Sequence, residues 1–439
     1  MKILKRVLLL LISNILIVVI YNYPKLNIIA GYSAKSINSS VFLAGRPFQF
    51  TDSTDTDFSP INLASDKINE SEKTSSASVF GLLTRTAIYR EGLGSVLITD
   101  DFDTTIEAQT PKRTTPDNST FFPLGNADQK DSVLVNVDYH KLRKTVGNLF
   151  TNNTQTRAVL VVHKNQIIAE QYGKGFTKNS RILGWSMTKS IMSTVVGIMQ
   201  TQGKINVFDK APISEWQNDD RKEITINNLL QMNSGLKWNE NYNEISDVTK
   251  MLFLEKDMTK IQAEKQLVGK PNETWNYSSG TSNLLSGIIK NTFKNHQDYL
   301  NYWYAEFIDK IGMNSMVIET DMTGNFVSSS YAWATPRDWA RFGLLYLNKG
   351  NWRGEQLFNP SWIDYITTPT KGSDGTYGGH FWLNAEGQFS DVPKNMFYAD
   401  GYQGQFVFVF PDQDLVVVRM GLAHIDINAF LKEILGSIN

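Results

Sequence analysis

The 439-residue chain predicts an α/β fold of the α+β kind, an antiparallel β-sheet flanked by helices with a helical insertion between its strands. Three observations predict it. Apolar runs bounded by turn residues pair as hairpins at residues 157–173 and 404–421. Between them lie four segments whose apolar residues recur at helical spacing. Apolar residues make up 41% of the chain, with 24 Phe, 17 Tyr and 10 Trp, enough for a sizeable core.

The elements follow in order. "MKILKR" is basic, and "VLLLLISNILIVVI" (7–20) is apolar for 14 residues, which suits the core of an export signal better than a full span of about 20. Ala30 and Ala34 are candidate cleavage ends, and cleavage and retention as an anchor both fit. The body of the protein is accordingly expected outside the cytoplasm, periplasmic or held at the inner membrane by residues 1–34. Residues 35–130 read as an extension. "TDSTDTDFSP" and "NESEKTSSAS" are polar loops, "SVFLAGRPF", "ASVFGLLTRTAIYR" and "LGSVLITDDF" are strand-like, and "TPKRTTPDNSTFFPLG" is a linker.

Residues 131–439 carry the sharper signals. "RAVLVVHKNQIIAEQYG" is a hairpin, and "SMTKSIMSTVVGIMQTQG" is a helix stopped by Gly203. "ITINNLLQMNSG" repeats that design and stops at Gly235. "SSGTSNLLSGIIKNTF" is a third helix. "TPRDWARFGLLYLNKG" is a fourth, entered through Thr335 and Pro336. "GQFVFVFPDQDLVVVRMG" turns at 411–414, and "DINAFLKEILGSI" closes the chain as a helix.

Composition excludes several functions. Net charge is -1 with no basic block beyond the N-terminus, so no nucleic-acid partner is expected. There is no cysteine, hence no disulfide, thiolate nucleophile or cysteine zinc site. The five histidines show no HxH or HxxxH spacing, so no metal or other cofactor is expected.

The chemistry centres on "GWSMTKS". Ser186 and Lys189 stand three apart at a helix entrance, on one face, where unpaired N–H groups favour developing negative charge. Met187, Ile191 and Met192 draw Lys189 inward, and a buried lysine is readily tuned toward base chemistry. A second S-x-x-K, Ser234–Lys237, straddles Gly235 and should diverge. "WNYSSGTS" sets Tyr277 and Ser279 at another helix mouth, where a phenol beside an ammonium ionises more easily and can accept a serine proton. In "GYQGQFVFVF", Gly401 and Gly404 leave room for a carbonyl to approach the backbone. The N–H of Gln405 could there join that of Ser186 as an oxyanion hole.

In this order these motifs resemble the serine hydrolases related to class C β-lactamases and D-Ala-D-Ala carboxypeptidases, most of all the branch with 6-aminohexanoate-dimer hydrolases and esterases. "INNLLQMNSGLKW" and "YGGHFWLN" add to the resemblance, which spans roughly residues 131–439. It implies a β-lactamase/DD-peptidase-like fold, Ser186 as nucleophile, Lys189 as its activating partner, Tyr277 as general base and acid, and N–H donors at Ser186 and Gln405. Trp185, Tyr242, Asp247, Ser279, His380, Tyr402 and Gly404 are the expected substrate-binding residues. The substrate would be a small-molecule or peptide-like ester or amide. Exported relatives often carry a cysteine pair where this chain has Ser39 or Ser40 and Ser95, so no such bridge forms. Tyr402-Gln403-Gly404 replaces the Lys-Thr-Gly whose lysine recognises a substrate carboxylate. Three alternatives stand beside hydrolysis of an ester or amide: penicillin-binding or β-lactamase action, a non-catalytic binding protein, and a Ser-His-Asp enzyme using His380 or His424.

Overall fold

The computed structural model describes residues 2–99, 102–103, 108–129, 133–150 and 154–439. They form two compact units, Met1–Glu107 with Asn239–Asp257, and Ala108–Trp238 with Met258–Asn439.

In the first unit a long helix, α1 (Lys2–Asn38), widens into a π-turn over Ser39–Leu43 and is followed by the short α2 (Phe48–Asp52). Strands β1 (Ala64–Asn69), β2 (Thr74–Val79), β3 (Leu83–Arg90) and β4 (Gly94–Ile98) form an antiparallel meander in that order. Helix α6 (Asp247–Leu254) belongs to the same unit. The later turns of α1 are built into it. Ala30, Ala34 and Ile37 are fully buried, Ser75 Oγ donates to Ala34 O (2.6 Å), and Asn38 Nδ2 donates to Ala87 O (3.0 Å). The ring of Tyr32 packs on Phe58 and Phe253. By contrast Leu8, Leu10, Leu11 and Ile20 are exposed. Among the described residues, no helix is long and apolar enough to cross a membrane.

Local pattern misled at one point here. "SVFL" has strand-like residues but continues α1, because Ser39, Ser40 and Leu43 are buried in the unit and the backbone follows the helix that places them. The two later strand-like stretches do pair, as β2, β3 and β4.

The second unit is organised by a six-stranded antiparallel sheet. Its outer part is β5 (Thr156–His163) and β6 (Gln166–Tyr172), a hairpin turned by Lys164 and Asn165, both at positive φ (50° and 62°). The remaining strands are β12 (Trp382–Leu383), β13 (Phe397–Gly401), β14 (Gln405–Phe410) and β15 (Leu415–Gly421). Spatial order is β12-β13-β14-β15-β5-β6, so the C-terminal hairpin joins the N-terminal one through β15 and β5. Both faces are covered, which explains the unbroken apolar runs. On one face Phe408, Phe410, Val159 and Val417 pack with Leu142 and Val146 of α3 (Tyr139–Asn148) and Leu431 and Ile434 of α11 (Ile427–Leu435). On the other lies α9 (Pro336–Leu347), capped by Thr335 as expected; its Gly343 leaves no room for a Cβ beside Val416 and Val407.

The helices between the hairpins are α4 (Thr188–Thr201), α5 (Ile226–Leu230), α7 (Ser279–Lys290) and α8 (His296–Trp303), with α10 (Ser361–Thr367) after α9. Helix α5 is shorter than its sequence pattern, ending at Leu230 before Met232 enters the left-handed region (φ 58°). Strands β7 (Ile182–Leu183), β8 (Val317–Ile318) and β9 (Ala332–Ala334) make a small sheet ordered β7-β9-β8, and β10 (Asn351–Trp352) pairs with β11 (Glu355–Gln356).

The division differs from a boundary near residue 130. Residues 108–129 join the second unit, where Arg113 pairs with the buried Asp309 (2.7 Å) and donates to Met316 O (2.9 Å). Arg341 likewise donates to the carbonyls of Pro123 (2.9 Å) and Gly125 (2.6 Å).

Candidate active site

Strand β7 runs into a tight turn, Trp185–Met187, that delivers Ser186 one turn ahead of α4. Gly184 N–H donates to Ala332 O (2.8 Å), and Thr188 Oγ bonds both Trp185 O (2.7 Å) and Ala332 N (3.0 Å). A Cβ at Gly184 would collide with the Trp339 indole, so the approach to the turn requires glycine. Trp185 itself is left-handed (φ 47°), a conformation that costs a side-chain-bearing residue free energy and is kept where surroundings enforce it. The result leaves Ser186 half-buried while Lys189 is 1% exposed.

Lys189 has three N–H bonds and three close acceptors. Nζ donates to Ser186 Oγ (3.0 Å), Ser279 Oγ (2.9 Å) and Ser329 O (2.9 Å). Its Nζ also lies 4.8 Å from the centre of the Tyr277 ring. Tyr277 and Ser279 reach it because Ser278 caps α7, accepting from Thr281 N–H (3.0 Å), while Asn276 N–H is tied to Met232 O (2.8 Å). The hydroxyl, amine and phenol-bearing residues thus meet, although 91 residues separate Ser186 from Tyr277. The other S-x-x-K diverges: Ser234 is buried, Lys237 is exposed, and Gly235 between them is at φ 75°.

The third motif closes on the same turn. A Cβ at Gly401 would strike Gly184 O, and the rings of Trp185 and Tyr402 meet edge to face at 5.5 Å. The backbone abutting the Ser186 turn is therefore that of Gly401, with the Tyr402 ring beside it on Trp185. Gln405 lies across the ladder from Gly401, and its buried side chain donates to Tyr402 O (3.2 Å) and to Gly421 O. Gly404 (φ 85°) has Arg419 behind it, which donates to Gly404 O (2.6 Å) and Thr154 O (2.9 Å). Burial with no carboxylate among these partners pulls the Arg419 guanidinium down to about 10.

The remaining expected residues divide between the two units. His380 is wholly buried away from solvent and bonded to Leu230 O and Ser282, not to Ser186. Burial, foremost, holds its pKa down at about 3. Tyr242 and Asp247 lie in the first unit; the Asp247 carboxylate accepts from Asn239 N–H (2.9 Å) at the start of α6.

Several neighbours escaped sequence reasoning. Tyr277 packs against Tyr377 (5.7 Å) and Trp382 (5.4 Å), which also contact each other. Tyr377 and Trp382 both lie within "YGGHFWLN", so their grouping was visible but not their destination. Asp400, half-buried near the end of β13, has its carboxyl pushed up to about 7 by burial, opposed by the Gly401 N–H and the Lys189 charge. Nothing in "YADGY" marks it.

A serine and a buried lysine at a helix entrance, on an antiparallel sheet with an inserted helical region, define a hydrolase of the β-lactamase type. Residues 143–421 match the Beta-lactamase family model, and the chain belongs to that family. Among curated proteins it is similar to the 6-aminohexanoate-dimer hydrolase of Paenarthrobacter ureafaciens, 22% identical over 61% of this chain and 72% of that one. Among solved structures it resembles a family VIII carboxylesterase (TM-score 0.55, 14% identity, 68% of this chain and 96% of that one). A penicillin-binding protein homolog from Caulobacter crescentus is also similar (TM-score 0.54, 13% identity, 70% and 100%). At such identities the structural likenesses speak for the fold alone.

Proposed function

We propose that the protein is an exported serine hydrolase that cleaves an ester or amide bond through an acyl-enzyme on Ser186. The carrying observation is the buried Lys189 ammonium, bonded at once to Ser186 Oγ and Ser279 Oγ. Tyr277, beside that charge, takes the Ser186 proton as Oγ attacks the substrate carbonyl. The oxyanion is received by the backbone N–H groups of Ser186 and Gln405. Collapse breaks the bond to the alcohol or amine, which leaves with the proton from Tyr277. Water, deprotonated by the same phenolate, then attacks the acyl carbon, and Ser186 leaves with that proton.

The walls favour an uncharged substrate over a β-lactam or a D-Ala terminus. All three Lys189 N–H bonds have partners within the protein, and the uncharged Tyr402 stands in the sequence where the Lys-Thr-Gly of the resembled enzymes has its lysine. A Ser-His-Asp scheme gains nothing from His380, which faces Leu230 and Ser282. The presence of Ser186, Lys189 and Tyr277 together speaks against a purely binding role.

The test is a panel of p-nitrophenyl esters, linear amide oligomers, D-amino-acid amides and nitrocefin, run on wild type and Ser186→Ala. Turnover of esters or amides that falls at least about 10³-fold in Ser186→Ala is expected. Nitrocefin as the best substrate would favour the β-lactamase reading, and activity unchanged in Ser186→Ala would remove Ser186 from the chemistry.

A further inference from the structure

We propose that His380 is a positioning residue, a buried neutral imidazole that holds the first turns of α4 and α7 together so that Lys189 reaches Ser186 and Ser279 simultaneously. The proposal rests on the acyl-enzyme reading above.

The polar contacts of His380 and of the glycine before it reach α4, α7 and the end of α5. Ser190, the residue after Lys189, donates its hydroxyl to His380 O (2.8 Å), and Ser193, one turn on, donates to Gly379 O (2.7 Å). The imidazole Nε2 lies 2.9 Å from Ser282 Oγ, one turn beyond Ser279, and Nδ1 lies 2.6 Å from Leu230 O at the end of α5. A carbonyl can only accept, so Nδ1 carries the proton. Nε2 is then the acceptor, and the Ser282 hydroxyl donates to it. One residue thereby joins α4 through its backbone, α7 through one ring nitrogen and α5 through the other.

The backbone agrees. His380 is left-handed (φ 64°), uncommon for a residue with a Cβ, and the two glycines before it cannot be replaced. A Cβ on Gly378 would collide with Ile366 O, and one on Gly379 would come within 2.9 Å of the Tyr365 ring. Tyr365, on α10, is anchored in turn to Asn227 Oδ1 (2.8 Å). The loop is therefore pressed from behind by α10, and His380 is aimed between α4 and α7 at an energetic cost to the backbone.

The test compares wild type, His380→Ala, His380→Gln, Ser282→Ala and His380→Ala/Ser282→Ala, using a p-nitrophenyl ester and the rate of fluorophosphonate labelling, with folding monitored by circular dichroism. For His380→Ala the proposal expects kcat and the labelling rate to fall about 10–100-fold with KM within about twofold, as for supporting residues around other reactive centres. Glutamine, which keeps one donor and one acceptor, should recover part of the loss. Ser282→Ala should lower kcat several-fold while remaining folded, and the double variant should be no worse than His380→Ala, since the two share one bond. Unchanged kcat and labelling in folded His380→Ala, a loss confined to KM, or strictly additive losses would overturn the proposal. Should His380→Ala not fold, an unchanged kcat in Ser282→Ala overturns it alone. Loss of labelling as complete as in Ser186→Ala would make His380 the base instead. A wild type that neither turns over nor labels would overturn the acyl-enzyme reading and this proposal with it.

Discussion

Lys189 makes the clearest single-residue prediction. Its ammonium has replaced water by two serine hydroxyls and a carbonyl, and the proposed attack by Ser186 calls for no second cation. Lys189→Ala should lower kcat/KM by about 10²–10⁴-fold, with Tyr277→Phe in the same range, measured on the best ester of the panel. His380 predicts a stability effect. Its folded-state pKa, about 3, lies below the ordinary 6.5, so its contribution to stability is complete above 6.5 and is lost as pH falls toward 3. Between pH 7.5 and 5 this group alone should cost the folded state about 2 kcal/mol, a loss absent from His380→Gln in urea unfolding at the two pH values. Asp400 works the other way, its pKa raised to about 7. Its unfavourable burial as an anion grows as pH rises, so Asp400→Asn should be stabilising at pH 8 relative to pH 5.

At the scale of elements, two close approaches are set by glycine. Gly184 meets the Trp339 indole and Gly401 meets Gly184 O, so Gly184→Ala should lose about 1–3 kcal/mol by thermal unfolding and displace Ser186 as well. Helix α1 makes a different prediction. Cleavage after Ala30 or Ala34 would cut through turns whose side chains are buried against β2 and β3 and whose carbonyl bonds Ser75. We propose that residues 7–20 direct export and stay attached. Mass analysis of the protein from a host envelope fraction should find residues 29–43 still present, and a mature N-terminus at 31 or 35 would contradict this. The hairpins, α4, α7, α9 and α11 were legible because their apolar spacing, caps and turn residues are local. "SVFL" was not, because its helical state comes from burial beside strands met 30 to 60 residues later.

For the molecule as a whole, the Ser186–Lys189 spacing and the Tyr277–Ser279 pair could be read from the sequence, since each sits at a recognisable helix mouth. Their convergence could not. It depends on a capped turn at Ser278, on the Gly401–Gly184 approach, and on pairing between β15 and β5, which join residues some 250 apart. The grouping of residues 108–129 with the second unit was equally hidden, because Arg113 and Arg341 find their partners only after folding. His380 shows the same limit: a polar residue in an aromatic stretch reads as pocket lining until its bonds to Leu230 and Ser282 are seen. The most direct measurement is to treat the protein with a fluorophosphonate and locate the adduct by tandem mass spectrometry. A single adduct on Ser186, formed far more slowly in Lys189→Ala, is the outcome expected if these three side chains are one catalytic unit. An adduct on a different residue, or equal labelling with and without Lys189, would contradict it.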